Sequence, residues 1–431
     1  MRYSTIPSKL FADRRKEFAK KMEPGSIAIF YSNDQVPRSG DQFYPYRQNS
    51  ALFSLSGIDQ EGTILVIYPK SKKKAFKEIL FVLAHDPKHS IWNGDRLSQK
   101  QVSKISGIDT IIPIDKSESL IQDLIKRANS VYINSNEEGN SGIGHSSLAE
   151  RKSSELKKLS PSHNILSSQS ILRQTAMVKH PVEIELLKKA IQVTGLAFDR
   201  VLRNVHPGMR EFEVEAELSY VLGQNGCRHA FEPIVASGKS ACTLHYISND
   251  KKIQPGTLIL IDFGAEYANM ASDMTRTIPV SGRFTKEQKK IYNAVLFVLQ
   301  EVTQMMQPGM SVKELNAEAG KLIESELIKL KVLSKGAVKK QDIKSPLWQK
   351  YFMHGVSHHL GYDVHDLADR DVNFREGMVL TCEPGIYLPD LKTGIRLEND
   401  ILITGKGPQN LMASIPIEPD EIESIMQSKT Y

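Results

Sequence analysis

Two acidic residues set inside apolar strands constrain this chain more than any other feature. Ile-Leu-Ile-Asp262-Phe263-Gly264 rises as one strand and Met270-Ala-Ser-Asp273-Met-Thr-Arg276-Thr returns as another, so Leu258–Thr277 is predicted to be a hairpin. With the turn centred between Tyr267 and Ala268, Asp262 and Asp273 face each other directly. Their Cβ atoms would stand about 4.5–5.5 Å apart on one face, where like charges are destabilising. Something positive must lie between them, and a divalent cation meets that need.

The rest of the chain can be searched for the remaining ligands. A second predicted hairpin joins Met378–Glu383 to Gly394–Thr404, with Arg396, Glu398 and Asp400 on the face opposite Ile395 and Leu397. Glu383 and Glu398 are its natural ligands. Between the hairpins lies the densest histidine cluster, His354-Gly-Val-Ser-His358-His359-Leu-Gly-Tyr-Asp-Val-His365-Asp366, from which His358 is the fifth ligand. Four carboxylates and one imidazole offset two divalent cations and form an oxygen-rich set that suits Mn²⁺ better than a thiolate-rich zinc site would. Two metals about 3.5–4 Å apart can share one hydroxide as nucleophile and polarise a carbonyl, so the reaction class is hydrolysis.

Each residue also has a plainer explanation. An Asp at a strand end is often a turn residue, Glu398 could pair with Arg396, and Asp262-Phe-Gly looks like the kinase triplet. Neither a glycine-rich loop nor a His-Arg-Asp catalytic loop precedes it, which removes the kinase reading. The order Asp, Asp, His, Glu, Glu over two hairpins favours the metal site.

The hairpins belong to a segment that is built twice. A long helix beginning at Lys179-His180-Pro181 ends at Val205-His-Pro207-Gly208-Met209 before Glu211–Leu222, and Lys286–Met306 ends at Gln307-Pro308-Gly309-Met310 before Val312–Glu326. Asp262 follows Gly256 at the same spacing as Glu383 follows Gly377, so two similar halves are expected to meet around a shared pseudo-twofold site. Before a boundary near residue 172 the texture is different. A basic helix over Phe11–Met22 precedes strands at Ser26–Tyr31, Thr63–Tyr68, Ile79–Ala84, Ile111–Ile114 and Val131–Asn134, with a helix over Glu118–Ala128, which is an α/β layer arrangement. Asn136–Lys158 reads as a surface excursion, and its Gly142-x-Gly144 follows no strand that would make it a phosphate loop.

Composition narrows the partners. In 431 residues, 40% hydrophobic and 25% charged content is an ordinary soluble balance for two or three domains. The net charge of +6 is small for this size, and Lys70–Lys74 reads as a solvated hairpin tip, so no nucleic acid is expected. Three cysteines without Cys-x-x-Cys spacing indicate neither a disulfide framework nor a zinc knuckle. With no apolar h-region at Met-Arg-Tyr-Ser-Thr-Ile-Pro and no apolar run of about 18 residues, a cytoplasmic protein without membrane contact is expected.

The sequence resembles the pita-bread metallopeptidases, and within them the aminopeptidase P type, at Arg14-Arg15 through Met22-Glu-Pro-Gly-Ser, Tyr44-Pro-Tyr-Arg-Gln-Asn-Ser50, Ile91-Trp92-Asn-Gly94, Ile234-Val-Ala-Ser-Gly238 and Leu244-His245-Tyr. The likeness continues through Ile261-Asp262 to Arg276-Thr277, His354-Gly-Val-Ser-His358 and Cys382-Glu383-Pro-Gly-Ile-Tyr387. It implies an α/β N-terminal domain over residues 1–172 and an α+β pita-bread catalytic domain with an internal pseudo-twofold repeat over 173–431. It implies hydrolysis of the N-terminal Xaa-Pro bond of peptides, with metal ligation by Asp262, Asp273, His358, Glu383 and Glu398, of which Asp273 and Glu398 bridge both ions. His245, His354 and His365 would hold the substrate and stabilise the tetrahedral intermediate, and Glu383 would assist deprotonation of the bridging water. Arg396 and Asp41 would fix the ligand carboxylates. Trp92, Arg396 and Tyr387 would lie on the substrate side, Trp92 reaching from a neighbouring subunit of a homo-oligomer, a dimer or tetramer.

Two departures from the family pattern stand out. The loop Leu367–Phe374 is shorter than in the bacterial enzymes, and His359 replaces a common tryptophan and reads as an idle surface group. The rival readings are a prolidase restricted to dipeptides, a pita-bread scaffold that binds a partner, and a metal-free creatinase type. Tyr44–Ser50 speaks against the first, and the intact ligand set against the other two.

Overall fold

The computed structural model describes residues 2–135, 146–159, 163–369 and 372–428. Gly142 and Gly144 lie outside the described residues. The chain divides into two units, Ser4–Thr175 and Ala176–Tyr431, the latter taking in Met1–Tyr3. The expected boundary after residue 172 falls within the helix Gln169–Ala176 that spans the division.

The first unit is organised by a six-stranded sheet in the spatial order Ile111–Pro113, Glu78–Val82, Ile64–Ile67, Ile27–Tyr31, Ser130–Ile133, Asn164–Ser167. The two inner pairings made by Ile64–Ile67 differ from the flanks: the neighbours Ile27–Tyr31, Ile64–Ile67 and Glu78–Val82 run antiparallel in turn, and the remaining strands join in parallel. Every residue of Ile27–Tyr31 is buried, as a strand covered on both faces requires. One face meets the helix Ser8–Lys21, whose Phe18 packs edge-on against Phe30 with ring centroids 5.2 Å apart. The other face meets Ile121, Leu124 and Ile125 of Ser117–Ile125 and Ala149 and Leu156 of Leu148–Leu159. That last helix corrects the expected surface excursion. Its buried stripe of Ala149, Ser153 and Leu156 is too thin to stand out as an apolar period.

The second unit carries the repeat. Helix pairs Pro181–Asn204 with Glu211–Gln224 and Lys286–Met305 with Val312–Lys329 are each joined through a Pro-Gly turn, and Gly208 and Gly309 adopt nearly the same left-handed φ of +96° and +97°. Capping boxes at Thr285 and Ser311 start the second pair.

In the first hairpin Leu258–Phe263 pairs antiparallel with Met274–Pro279, Asp262 opposing Thr275 and Phe263 opposing Met274. The expected direct pairing of Asp262 with Asp273 is therefore wrong. The chain reverses at Ala268-Asn269, whose φ values of 54° and 60° are those of a primed two-residue turn, one residue later than expected. Asn269 is the local residue best suited to such a φ. Asp273 remains on the face of Asp262 but as a diagonal neighbour, a position within reach of long side chains.

In the second hairpin the register runs unbroken from Cys382 opposite Asn399 to Gly385 opposite Arg396, which sets Glu383 against Glu398. The hairpins meet along their inner strands. Glu398 N–H donates to Thr275 O at 3.0 Å, and Thr277 Oγ1 donates to Arg396 O at 3.1 Å.

Candidate metal centre

The line along which the hairpins meet gathers the acidic residues. Asp273, His358 and Glu398 each offer a ligand atom, all within 4.8 Å of one another. His358 Nε2 lies 3.4 Å from Asp273 Oδ2 and 3.7 Å from Glu383 Oε1. Asp262 Oδ1 is buried without a hydrogen-bond partner, while Oδ2 accepts from an Arg396 guanidinium N–H at 2.5 Å. A buried carboxylate oxygen left bare beside further carboxylates is costly unless a cation takes it.

Fixed polar contacts aim each side chain. His358 is tethered by its backbone N–H to Thr381 Oγ1 at 3.1 Å, and its Nδ1 lies 3.0 Å from the carbonyl of His359. Nδ1 is therefore the donor, and the Nε2 lone pair faces the carboxylates, as in other metal-binding histidines. Thr275 Oγ1 donates to Glu398 Oε2 at 2.7 Å and accepts from Arg396 Nε at 3.1 Å. Arg396 also donates to Tyr387 Oη at 2.8 Å, and Tyr387 Oη lies 2.7 Å from His354 Nε2. Because His354 Nδ1 donates to Gly355 O at 2.8 Å, Tyr387 donates to Nε2, and both ring nitrogens of His354 are occupied.

The charges are unbalanced. Burial, then Asp262, Asp400 and Glu383, raise Asp273 well above the usual carboxylate range, and burial with Asp273, Glu383 and Asp262 does the same to Glu398. Glu383 is pushed up to about 7, chiefly by burial, with His358 and Arg396 opposing. Burial works most against the charge of Arg396, yet Tyr387, Asp262, Glu383 and Glu398 together outweigh it and raise its pKa. The acids outnumber this one guanidinium, so the donor set fits divalent cations.

The remaining site residues are placed as follows. His354 is held neutral, its pKa lowered to about 4 first by burial and then by Arg396. His365 packs edge-on against His358 with ring centroids 4.4 Å apart, and both His365 and His245 are exposed to solvent. Trp92, expected in a turn-like stretch, instead lies on the helix Pro87–Asn93, capped by Asp86, and is 85% exposed. Asp41 sits at an exposed hairpin of the first unit and accepts from the Gln42 amide at 3.1 Å.

His359 corrects an expectation. It is 6% exposed, bridges to Leu380 at the edge of Val379–Cys382, and its carbonyl takes both His358 Nδ1–H and the Asp366 N–H. It is not an idle surface group. Asp366 forms a buried 2.7 Å ion pair with Lys179.

Sequence reasoning missed Thr275, Thr381 and the role of Asp400. Asp400 Oδ2 accepts from the Asp273 N–H at 3.3 Å, and its position on the Arg396–Glu398 face was the available signal.

Metallopeptidase family M24 matches residues 185–405, more than half of the chain. The chain belongs to that family. Residues 11–132 match the aminopeptidase P N-terminal domain. The M24 chain is 35% identical to Escherichia coli Xaa-Pro aminopeptidase and 30% identical to the Haemophilus influenzae enzyme of the same name, over 98% of this chain and of each relative. Its fold is similar to that of E. coli aminopeptidase P with the inhibitor Pro-Leu, at a TM-score of 0.86 and 32% identity over 99% of both chains. The α/β first unit and the α+β pita-bread second unit are thus those of an M24 metallopeptidase with an aminopeptidase P N-terminal domain, and the protein is a hydrolase.

Proposed function

We propose that this metallopeptidase removes the N-terminal residue that precedes proline in peptides, as an Xaa-Pro aminopeptidase. The carrying observation is the group Asp273, His358 and Glu398 with Asp262 and Glu383 beside it, in a chain that is similar over nearly its whole length to Xaa-Pro aminopeptidases. Two divalent cations, Mn²⁺ by the chemistry of the donor set, would be held by these five residues and would supply a shared hydroxide and the positive charge that polarises the scissile carbonyl.

The chain's own groups do the rest. Glu383, opposite Glu398 and beside His358, is placed to take a proton from the attacking water and return it to the leaving prolyl nitrogen. Arg396 holds Asp262 and, through Tyr387, the neutral ring of His354, so His354 shapes the pocket with its ring face and edge. His245 and His365, exposed beside that wall, are free to meet the substrate carbonyl and stabilise charge on its oxygen. Trp92 would stack on the substrate from a neighbouring subunit of a cytoplasmic dimer or tetramer. Its exposure supports this reading.

The test is hydrolysis of a proline-containing tripeptide and an Xaa-Pro dipeptide side by side with Mn²⁺. Preference for the tripeptide is expected; activity confined to the dipeptide would make the chain a prolidase.

A further inference from the structure

The first half of the pita-bread unit holds a buried carboxylate that the chemistry above does not use. Glu211 opens the helix Glu211–Gln224 and is fully buried. Its Oε1 accepts from the Ser237 N–H at 2.8 Å and from Ser237 Oγ at 2.7 Å, and its Oε2 accepts from Tyr246 Oη at 2.8 Å and the Lys251 N–H at 3.0 Å. The ammonium of Lys251 bonds Ser240 Oγ at 2.6 Å and lies 5.0 Å from the centre of the Tyr246 ring. One carboxylate thus ties the two ends of the segment 237–251, and His245 is carried inside it.

The rest of that segment is pressed onto the second hairpin. A Cβ at Gly394 would stand 2.3 Å from the Ala241 carbonyl, and Cys242 Sγ reaches Thr393 O at 3.4 Å. Asn249, in a left-handed conformation, ties the segment to Val235, Pro233 and Glu215. His245 itself is exposed. Its neighbour Tyr246 is anchored through a hydroxyl that lies 2.8 Å from Glu211 Oε2 and 3.1 Å from Asp250 Oδ1.

We propose that Glu211 is the positioning residue for His245, setting through Tyr246, Ser237 and Lys251 the path of the loop that brings this imidazole to the substrate. The inference rests on the reading that His245 meets the substrate. Four donors converge on one carboxylate, and two of them are backbone N–H groups that cannot turn around to accept. Glu211→Gln keeps the shape but faces at least one of these N–H groups with an amide N–H.

The test is a double-mutant cycle on tripeptide hydrolysis with Mn²⁺, using His245→Ala, Glu211→Gln and both together, with bound metal measured for each. Glu211→Gln is expected to lower kcat/KM about tenfold or more, because a displaced catalytic contact is costly, with metal content at the wild-type level. In the His245→Ala background the same change should cost almost nothing further. A His245→Ala protein with wild-type kinetics would overturn the reading of His245, and the proposal with it. An impaired His245→Ala protein beside a fully active Glu211→Gln protein, or losses that multiply in the double variant, would overturn the proposal alone. If Glu211→Gln does not fold, Tyr246→Phe enters the same cycle, removing one of the four bonds to Glu211 together with the contact to Asp250 and keeping the ring; Asp250→Asn, which spares Glu211, is run beside it and should not reproduce the loss. A loss with Tyr246→Phe that vanishes without His245 supports the proposal, and no loss refutes it.

Discussion

Glu383 faces Glu398 across the second hairpin, with His358 Nε2 3.7 Å away, and this crowding of buried acids sets how the site responds to protons. Its pKa lies above that of an exposed glutamate, so its contribution to stability in metal-stripped protein is present below about pH 4.5 and is lost as pH rises through about 7. Asp273 and Glu398 are shifted in the same direction. Divalent ions compete with these protons, so the gain in unfolding temperature on adding Mn²⁺ should widen from about pH 5 to about pH 7.5. Thermal unfolding with and without Mn²⁺ across that range checks it, and a gap independent of pH would contradict it. Glu383→Ala should leave a folded protein with a turnover lowered by a factor of about a thousand or more, on the scale of losing a catalytic acid-base group; circular dichroism and steady-state kinetics read the two halves separately. The four candidate carboxylates were legible because acids in or at the ends of apolar strands are expensive and stand out, and His358 because it lies in the densest histidine cluster. Thr275 and Thr381 were not, since a threonine in a strand is unremarkable until the chain that crosses it is known. His359 was misread because nothing in its neighbours tells that the segment runs along a sheet edge.

At the scale of elements, the histidine segment is tied by a buried ion pair to the chain just before the helix Pro181–Asn204. Lys179 Nζ and Asp366 Oδ2 are 2.7 Å apart and almost wholly enclosed, and a Cβ on Gly361 would collide with both side chains. Removing one partner strands the other charge, so Lys179→Met should destabilise the protein by about 3–5 kcal/mol, with much of the loss recovered when Asp366→Leu is added. Chemical denaturation of the two variants measures this. In the first hairpin Gly264 passes so close to Ser272 that a Cβ would stand 1.7 Å from its carbonyl oxygen, so Gly264→Ala should displace Asp273 and lower bound metal along with stability. Both helix pairs and both hairpins could be read from Pro-Gly turns, caps and apolar periods. The register of the first hairpin could not be read from those signals, because it hangs on which two residues take positive φ. Ala268 is a poor advertisement for such a turn. The helix Leu148–Leu159 and the edge strand Asn164–Ser167 escaped notice because each buries too few apolar side chains to impose a period.

For the whole molecule, the two units do different work. The second carries every candidate ligand, while the first presents Ile91 and Trp92 at 79% and 85% exposure on one short helix. Trp92→Ala should raise KM for tripeptides several-fold with a smaller change in kcat, as loss of a stacking contact worth on the order of 1 kcal/mol would do, and light scattering of the parent protein should give a dimer or tetramer. A monomer whose Trp92 variant has unaltered kinetics would refute this arrangement. The two-domain plan was legible because the first unit alternates strands and helices and the second repeats itself. The central claim is that Asp262, Asp273, His358, Glu383 and Glu398 hold two divalent ions on which peptide hydrolysis depends. It is tested most directly by titrating Mn²⁺ into exhaustively chelated protein while following both bound metal and cleavage of a proline-containing tripeptide. Cleavage should be absent at the start, rise as metal binds and level off near two equivalents per chain; full activity in protein shown by elemental analysis to be metal-free would contradict the account.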